Sequence, residues 1–177
     1  MIHINDKYFN TFIPEDEIQS RINALASIIN NDYKGKEVLF IAVLNGVFMF
    51  ATDLLKKIKL ECEISFIKVS TYKGTASTSN LIDLIGLNTD LKNKEIIILD
   101  DIVDTGFTLS EIEKTIKKSN PKSLKTCALL FKPKAFKGNQ KPHYIGFEIP
   151  NLFVVGYGLD YNQKGRNYTE IYQITEN

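Results

Sequence analysis

Residues 96–108 read IIILDDIVDTGFT: four aliphatic side chains, two adjacent aspartates, then a third acid just ahead of Thr105, Gly106 and Thr108. Three carboxylates, Asp100, Asp101 and Asp104, thus fall within five positions of one another, directly after a stretch that reads as fully buried. Like charges this close raise each other's cost of ionisation, so the pattern calls for a cation or for hydroxyl donors. The next residues have a different use. Where DTGFT runs into a helix, its backbone N–H groups converge on an anion with the help of the helix dipole. Gly106 permits close backbone approach, and the hydroxyls of Thr105 and Thr108 donate to the same oxygens. Acids beside a phosphate cradle fit a phosphorylated sugar, its 5-phosphate in the loop and its two ring hydroxyls against Asp100 and Asp101, with a metal as the other partner acids accept.

Those side chains need a strand and a helix to hold them. PEDEIQSRINALASIIN places Pro14 where a helix begins, acids in the first turn, and Ile18, Ile22, Leu25 and Ile29 on one face. VLFIAVL (38–44) is a continuous apolar run of the kind buried on both faces of a sheet, broken by Asn45 and Gly46. A helix is expected over VFMFATDLLKKI (47–58), a strand over EISFIKVS (63–70), a polar stretch over 71–80, and a strand over EIIIL (95–99) that the two acids end. From Thr108 the pattern is helical again, with Leu109, Ile112 and Ile116 on one face and a Glu113–Lys117 pair on the other. SLKTCALLF (123–131), IGFEI (145–149) and FVVGYGL (153–159) read as further strands. Alternating elements predict a mostly parallel α/β sheet covered by helices, which binds ligands at the carboxyl ends of its strands.

Composition narrows the classes. A chain of 177 residues with no repeat, low-complexity tract or linker predicts a single domain over 1–177. With 22 Lys+Arg against 21 Asp+Glu there is no global electrostatic reason to expect nucleic acid or an anionic membrane as partner. Cys62 and Cys127 lie far apart, and His3 and His143 belong to no ligand cluster, so a zinc site is not expected. The N-terminus is charged too early for a signal sequence and no apolar run approaches membrane-span length, which predicts a soluble, cytoplasmic protein.

IIILDDIVDTGFT resembles the phosphoribosyl pyrophosphate signature of type I phosphoribosyltransferases, two acids then xxDTGxT after an apolar strand. Three further segments are similar to those of the hypoxanthine-guanine phosphoribosyltransferases. VLNGVFMFATDLL resembles their pyrophosphate loop, STYKGTASTSN their mobile catalytic loop, and GFEIPNLFVVGYGLDYNQKGRN their base-binding and closing segment, all in the family's order. The resemblance implies the family's fold, a twisted sheet with a small hood built from N- and C-terminal segments. It implies transfer of ribose 5-phosphate from phosphoribosyl pyrophosphate to hypoxanthine and guanine, giving IMP or GMP and pyrophosphate, with magnesium as cofactor and a homodimer or homotetramer as the working form.

Carried over by position, Asp104 is the family's proton acceptor on the imidazole side of the purine. Asp100 and Asp101 take the ribose, and Thr105, Gly106, Phe107 (through its backbone) and Thr108 take the 5-phosphate. Leu44, Asn45, Gly46 and Arg166 contact pyrophosphate, while Thr71 and Tyr72 open the mobile loop. Lys132 donates to the six-position oxygen of the purine, Phe153 stacks on it, the backbone of Val154 meets its Watson–Crick edge, and Asp160 lies beside it. Asp160 also holds magnesium, together with Asp100 and Asp101. The chain departs from many members in having Asn45 rather than Lys in the pyrophosphate loop, and the family's cis peptide would here be Leu44–Asn45.

Each residue has a plainer reading. In isolation Asp104 is a helix N-cap, Asn45–Gly46 an ordinary turn, Lys132 a solvated lysine, Phe153 a core residue and the polar loop a flexible surface segment. A phosphoribosyl pyrophosphate-sensing RNA-binding regulator would keep the same cradle, although KKSNPKSLK is only modestly basic. A receiver-like phosphoacceptor also carries acids at strand ends but leaves DTGFT without a use.

Overall fold

The structure, a computed structural model, describes residues 1–72 and 81–175. Its main sheet contains β3 (Val38–Leu44), β4 (Cys62–Tyr72), β5 (Leu81–Ile85), β6 (Glu95–Val103), β7 (Ser123–Phe131) and β8 (Tyr144–Glu148), in the order β5-β4-β3-β6-β7-β8. Five of these strands run parallel, and only β5 is antiparallel, to β4.

The apolar run at 38–44 explains the layering. Alternate side chains leave opposite faces of a strand. Val38, Phe40 and Ala42 enter one core with α1 (Glu15–Asp32) and α2 (Phe48–Leu55), whereas Leu39, Ile41 and Val43 enter the other with α3 (Phe107–Lys117). Helix α1 buries Ile18, Ile22, Leu25, Ala26 and Ile29, the stripe its spacing predicts, and Pro14 is its N-cap rather than its first turn. Helix α2 stops at Leu55, short of the Ile58 expected. On α3, Leu109, Ile112 and Ile116 are buried and Lys117 reaches Glu113 at 3.5 Å.

The remaining strands form the hood. β1 (Ile2–Ile4), β2 (Lys7–Ile13), β9 (Val154–Val155) and β10 (Ile171–Ile174) make an antiparallel sheet in the order β1-β2-β10-β9. Two corrections to the expected strands arise here and in β6. The strand expected over 153–159 shrinks to Val154–Val155, because Gly156, Tyr157 and Gly158 all take positive φ (+92°, +48°, +97°), which no strand accommodates. Asp100 and Asp101 do not end β6, because its ladder with β7 continues through Asp100–Ala128 to Val103–Phe131. On the other side, pairing with β3 stops at Ala42–Leu99, so a crevice opens beside the acids. It opens where the chain's route reverses: β3 leads outward to β4 and β5, β6 to β7 and β8. Parallel sheets bind ligands at such a point.

Candidate active site

The turn between β6 and α3 builds the cradle. Gly106 is the N-cap of α3 with φ +80° and ψ 1°, a left-handed conformation that favours glycine, and as a glycine it offers no side chain to cap the helix. The first internal helical bond runs from Ser110 N to Gly106 O (3.0 Å), so the N–H groups ahead of it face outward. Phe107 N reaches Thr105 Oγ1 at 3.4 Å. Asp100 and residues 102–109 line a small cavity of about 110 Å³ at this helix start, with the geometry and dipole an anion requires.

Asp104 does not cap the helix. Its Oδ2 accepts a hydrogen bond from Lys132 Nζ at 2.9 Å, and Lys132 is buried while the Asp104 side chain is 48% exposed. Lys132 follows β7 directly, its N–H bonded to Val103 O (3.0 Å), so two adjacent strand ends set the pair. The order of the parallel sheet therefore brings together two residues that lie 28 positions apart in the chain.

Asp100 and Asp101 form a second acidic group. Asp101 N donates to Asp100 Oδ1 (3.1 Å) and Ile102 N to Asp101 Oδ1 (2.9 Å). Desolvation, then the neighbouring Asp101 charge, pushes the Asp100 carboxyl well above the usual aspartate range. Desolvation also raises Asp101, against the pull of these hydrogen bonds and of Arg166. A carboxyl with a raised folded pKa holds a proton in the folded protein that the unfolded chain has released, so stability falls as pH rises through that window and stays reduced above it. Asp100→Asn keeps an acceptor for Asp101 N and removes the charge. The substrate-free variant should gain on the order of 1 kcal/mol at neutral pH, a Tm increase of about 2–4 °C that disappears below the ordinary aspartate range. Thermal melts against pH measure this, and a neutral-pH loss would contradict it.

Asp101 also faces the β3–α2 loop. A methyl on Gly46 would overlap the Asp101 carboxylate, and one on Gly158 would overlap the Gly46 carbonyl, so two glycines allow three backbone segments to meet. The Leu44–Asn45 peptide between them and β3 is cis. Arg166 ties the third segment down, donating through Nη1 to Gly158 O (2.8 Å) and pairing through Nη2 with Asp160 (2.6 Å). Asp160 also accepts from Gln163 N at 2.8 Å.

Phe153 and Val154 lie on the hood. The Phe153 ring is 46% exposed, edge-on to Tyr161 at 5.8 Å, so it is not the core residue that isolation suggests. Ile174 N donates to Phe153 O (3.1 Å) and Val155 sits opposite Tyr172, which directs the N–H and C=O of Val154 away from β10, off the open edge of the hood. The bond from Ile149 N to Phe131 O (2.8 Å) anchors the segment leading to Phe153 beside the residue preceding Lys132.

Thr71 and Tyr72 are the last residues of β4, and the expected loop beyond them lies outside the described residues. Sequence reasoning missed two supports. Tyr157 OH (2.6 Å) and Gln19 Nε2 (2.7 Å) both donate to Asp53 Oδ2, fixing the positive-φ turn on α1 and α2. The second is Phe136, whose ring lies against Gly106. The Gly-Tyr-Gly and Phe-Lys-Gly triplets were the available signals.

Residues 14–162 match the phosphoribosyl transferase domain family. The chain is 35% identical to the hypoxanthine-guanine phosphoribosyltransferase of Aquifex aeolicus over 99% of this chain and 100% of the relative. The chain belongs to the hypoxanthine-guanine phosphoribosyltransferase family. The Mycobacterium tuberculosis protein of the same name is 38% identical over 92% of this chain and 84% of its own. A hypoxanthine-guanine phosphoribosyltransferase crystal structure from Bacillus anthracis superposes with a TM-score of 0.86 at 36% identity, covering 96% of this chain and 99% of that one. The five parallel strands, flanking helices and hood are those of this family's fold, and the chain is an enzyme of the family.

Proposed function

We propose that this phosphoribosyltransferase transfers ribose 5-phosphate from phosphoribosyl pyrophosphate to hypoxanthine and guanine, forming IMP or GMP and releasing pyrophosphate. The observation that carries the reading is the Asp104–Lys132 pair at the mouth of an uncapped helix N-terminus, an acceptor and a donor beside an anion cradle. The 5-phosphate binds to the N–H groups of residues 105–108 and the ribose hydroxyls donate to Asp100 and Asp101, offsetting the desolvation that raises both carboxyls. Pyrophosphate meets the backbone of Leu44, Asn45 and Gly46, and Arg166, held beside that loop through Gly158, supplies a fixed cation as the leaving group gains charge.

The purine lies between Phe153 and the cradle, with the outward peptide groups of Val154 at its edge. Lys132 turns from Asp104 to the six-position oxygen, and the carboxylate so released accepts the proton lost from the imidazole ring as the base attacks. An ammonium has donors only, so adenine, which presents an amino group there, leaves both sides unpaired.

Magnesium is the cofactor this reading expects, and Asp100, Asp101 and Asp160 are the residues that would hold it. Among the described residues no three acidic, histidine or cysteine side chains cluster, so most of its coordination would have to come from substrate oxygens and water. When bound it would neutralise negative charge on pyrophosphate. The whole chain is taken as one domain, cytoplasmic and working as a homodimer or homotetramer. Among the described residues no helix is long and apolar enough to cross a membrane. The test is direct: purified protein with phosphoribosyl pyrophosphate, magnesium and each purine should form nucleotide from hypoxanthine and guanine and almost none from adenine. No nucleotide from either would refute the proposal.

A further inference from the structure

Phe136 lies outside every role assigned so far. A methyl built on Gly106 would run into its ring, all three nearest heavy atoms being carbons of Phe136, and the same is true of Gly138. The ring is therefore gripped edge-on between two residues that lack a Cβ. It also packs on Phe131, the last residue of β7, in a T-shaped contact of 5.2 Å and 72°. Backbone bonds place it: Phe136 N donates to Lys132 O (3.1 Å) and Lys137 N to Thr105 O (3.0 Å). Gly106 lines both the cradle and a second cavity of about 320 Å³ whose wall includes Phe136, Lys137 and Gly138. The N–H groups of a helix start point wherever the residue before the helix holds them, and here that residue is in contact with one aromatic edge.

We infer that Phe136 is a positioning residue for the phosphate cradle: its ring supports the left-handed Gly106 from the side opposite the ligand and so fixes the N–H groups that bind the 5-phosphate. The inference rests on the phosphoribosyl-transfer reading. It separates the two halves of the site, because the bonds that hold Lys132, to Val103, to Asp104 and from the backbone N–H of Phe136, do not involve the Phe136 ring. Loss of the ring should weaken phosphate binding and leave base recognition alone.

Calorimetric titration with ribose 5-phosphate tests this without requiring turnover. Phe136→Ala should bind about tenfold more weakly than wild type and Phe136→Leu should fall between them, with the KM for phosphoribosyl pyrophosphate raised and that for hypoxanthine unchanged. Gly106→Ala should also bind weakly, and adding Phe136→Ala to it should recover part of the loss by removing the collision. Equal ribose 5-phosphate affinity in wild type and Phe136→Leu, or losses that simply add in the double variant, would overturn the inference. Wild-type protein that binds ribose 5-phosphate but forms no nucleotide would instead overturn the assigned reaction and leave Phe136 to be judged by the titration.

Discussion

Asp104→Asn should lower turnover by about a hundredfold or more while leaving the affinity for phosphoribosyl pyrophosphate within about twofold. Asparagine keeps the shape of the side chain, and its carbonyl still accepts from Lys132 Nζ, so the 2.9 Å contact and the cradle survive. What it cannot do is take a proton from the purine. The competing role of helix cap makes the opposite forecast, a stability loss with little change in rate. The geometry decides between them: α3 begins at Phe107 behind Gly106 with no side-chain cap, so Asp104→Asn should leave Tm within about 1–2 °C. Initial rates of IMP formation at saturating substrate, with ribose 5-phosphate titration and a melt, read all three quantities. Turnover equal to wild type would remove Asp104 from proton transfer.

Much of this site is legible in the sequence because its parts are local. Asp100 to Thr108 carry strand end, turn and helix start within nine consecutive residues, and the physical demands of each are written in the residue types. The run at 38–44 is equally plain, since a strand buried on both faces has no polar position to disguise it. The hood was not legible in this way. Strands β1 and β10 are short, β2 is mostly exposed, and β10 reaches β2 across almost the entire chain, pairing Ile171 with Ile13, so no local pattern announces the partner. The turn at 156–158 defeated the apolar reading for a related reason. Val154, Val155, Tyr157 and Leu159 are all buried as their types suggest, but the intervening positive-φ residues make the segment a turn pressed against Gly46. Apolar content reported burial there and said nothing of backbone direction.

What needs the third dimension most is the pairing of distant groups. Asp104 and Lys132 each look ordinary alone, and they meet only because β6 and β7 are parallel neighbours whose ends lie level, Val103 opposite Phe131. Likewise Gly46 from the β3–α2 loop, Asp101 from β6 and Gly158 from the turn after β9 touch only at the crevice where β3 and β6 part.

The same pairing governs the choice of base. Lys132→Ala should lower kcat/KM for hypoxanthine by about a thousandfold and leave the already poor rate with adenine within a few-fold of its starting value, so that the preference for six-oxo purines largely collapses. The asymmetry follows from where the ammonium stands. In the wild-type site hypoxanthine meets a buried donor and adenine meets the same donor with nothing to accept from it, so removing the lysine costs the first substrate a charged hydrogen bond and relieves the second of a penalty. Asp104 does not become an orphan, since about half of its side chain is open to water that can replace the lysine. Lys132→Gln sharpens the test, because its amide carbonyl can accept from the adenine amino group and should raise adenine relative to hypoxanthine. Steady-state kcat/KM for hypoxanthine, guanine and adenine in each variant gives the ratios. If Lys132→Ala depressed all three bases equally, the lysine would be acting on the framework through Asp104 and Val103, and the six-position contact would have to be assigned to another group.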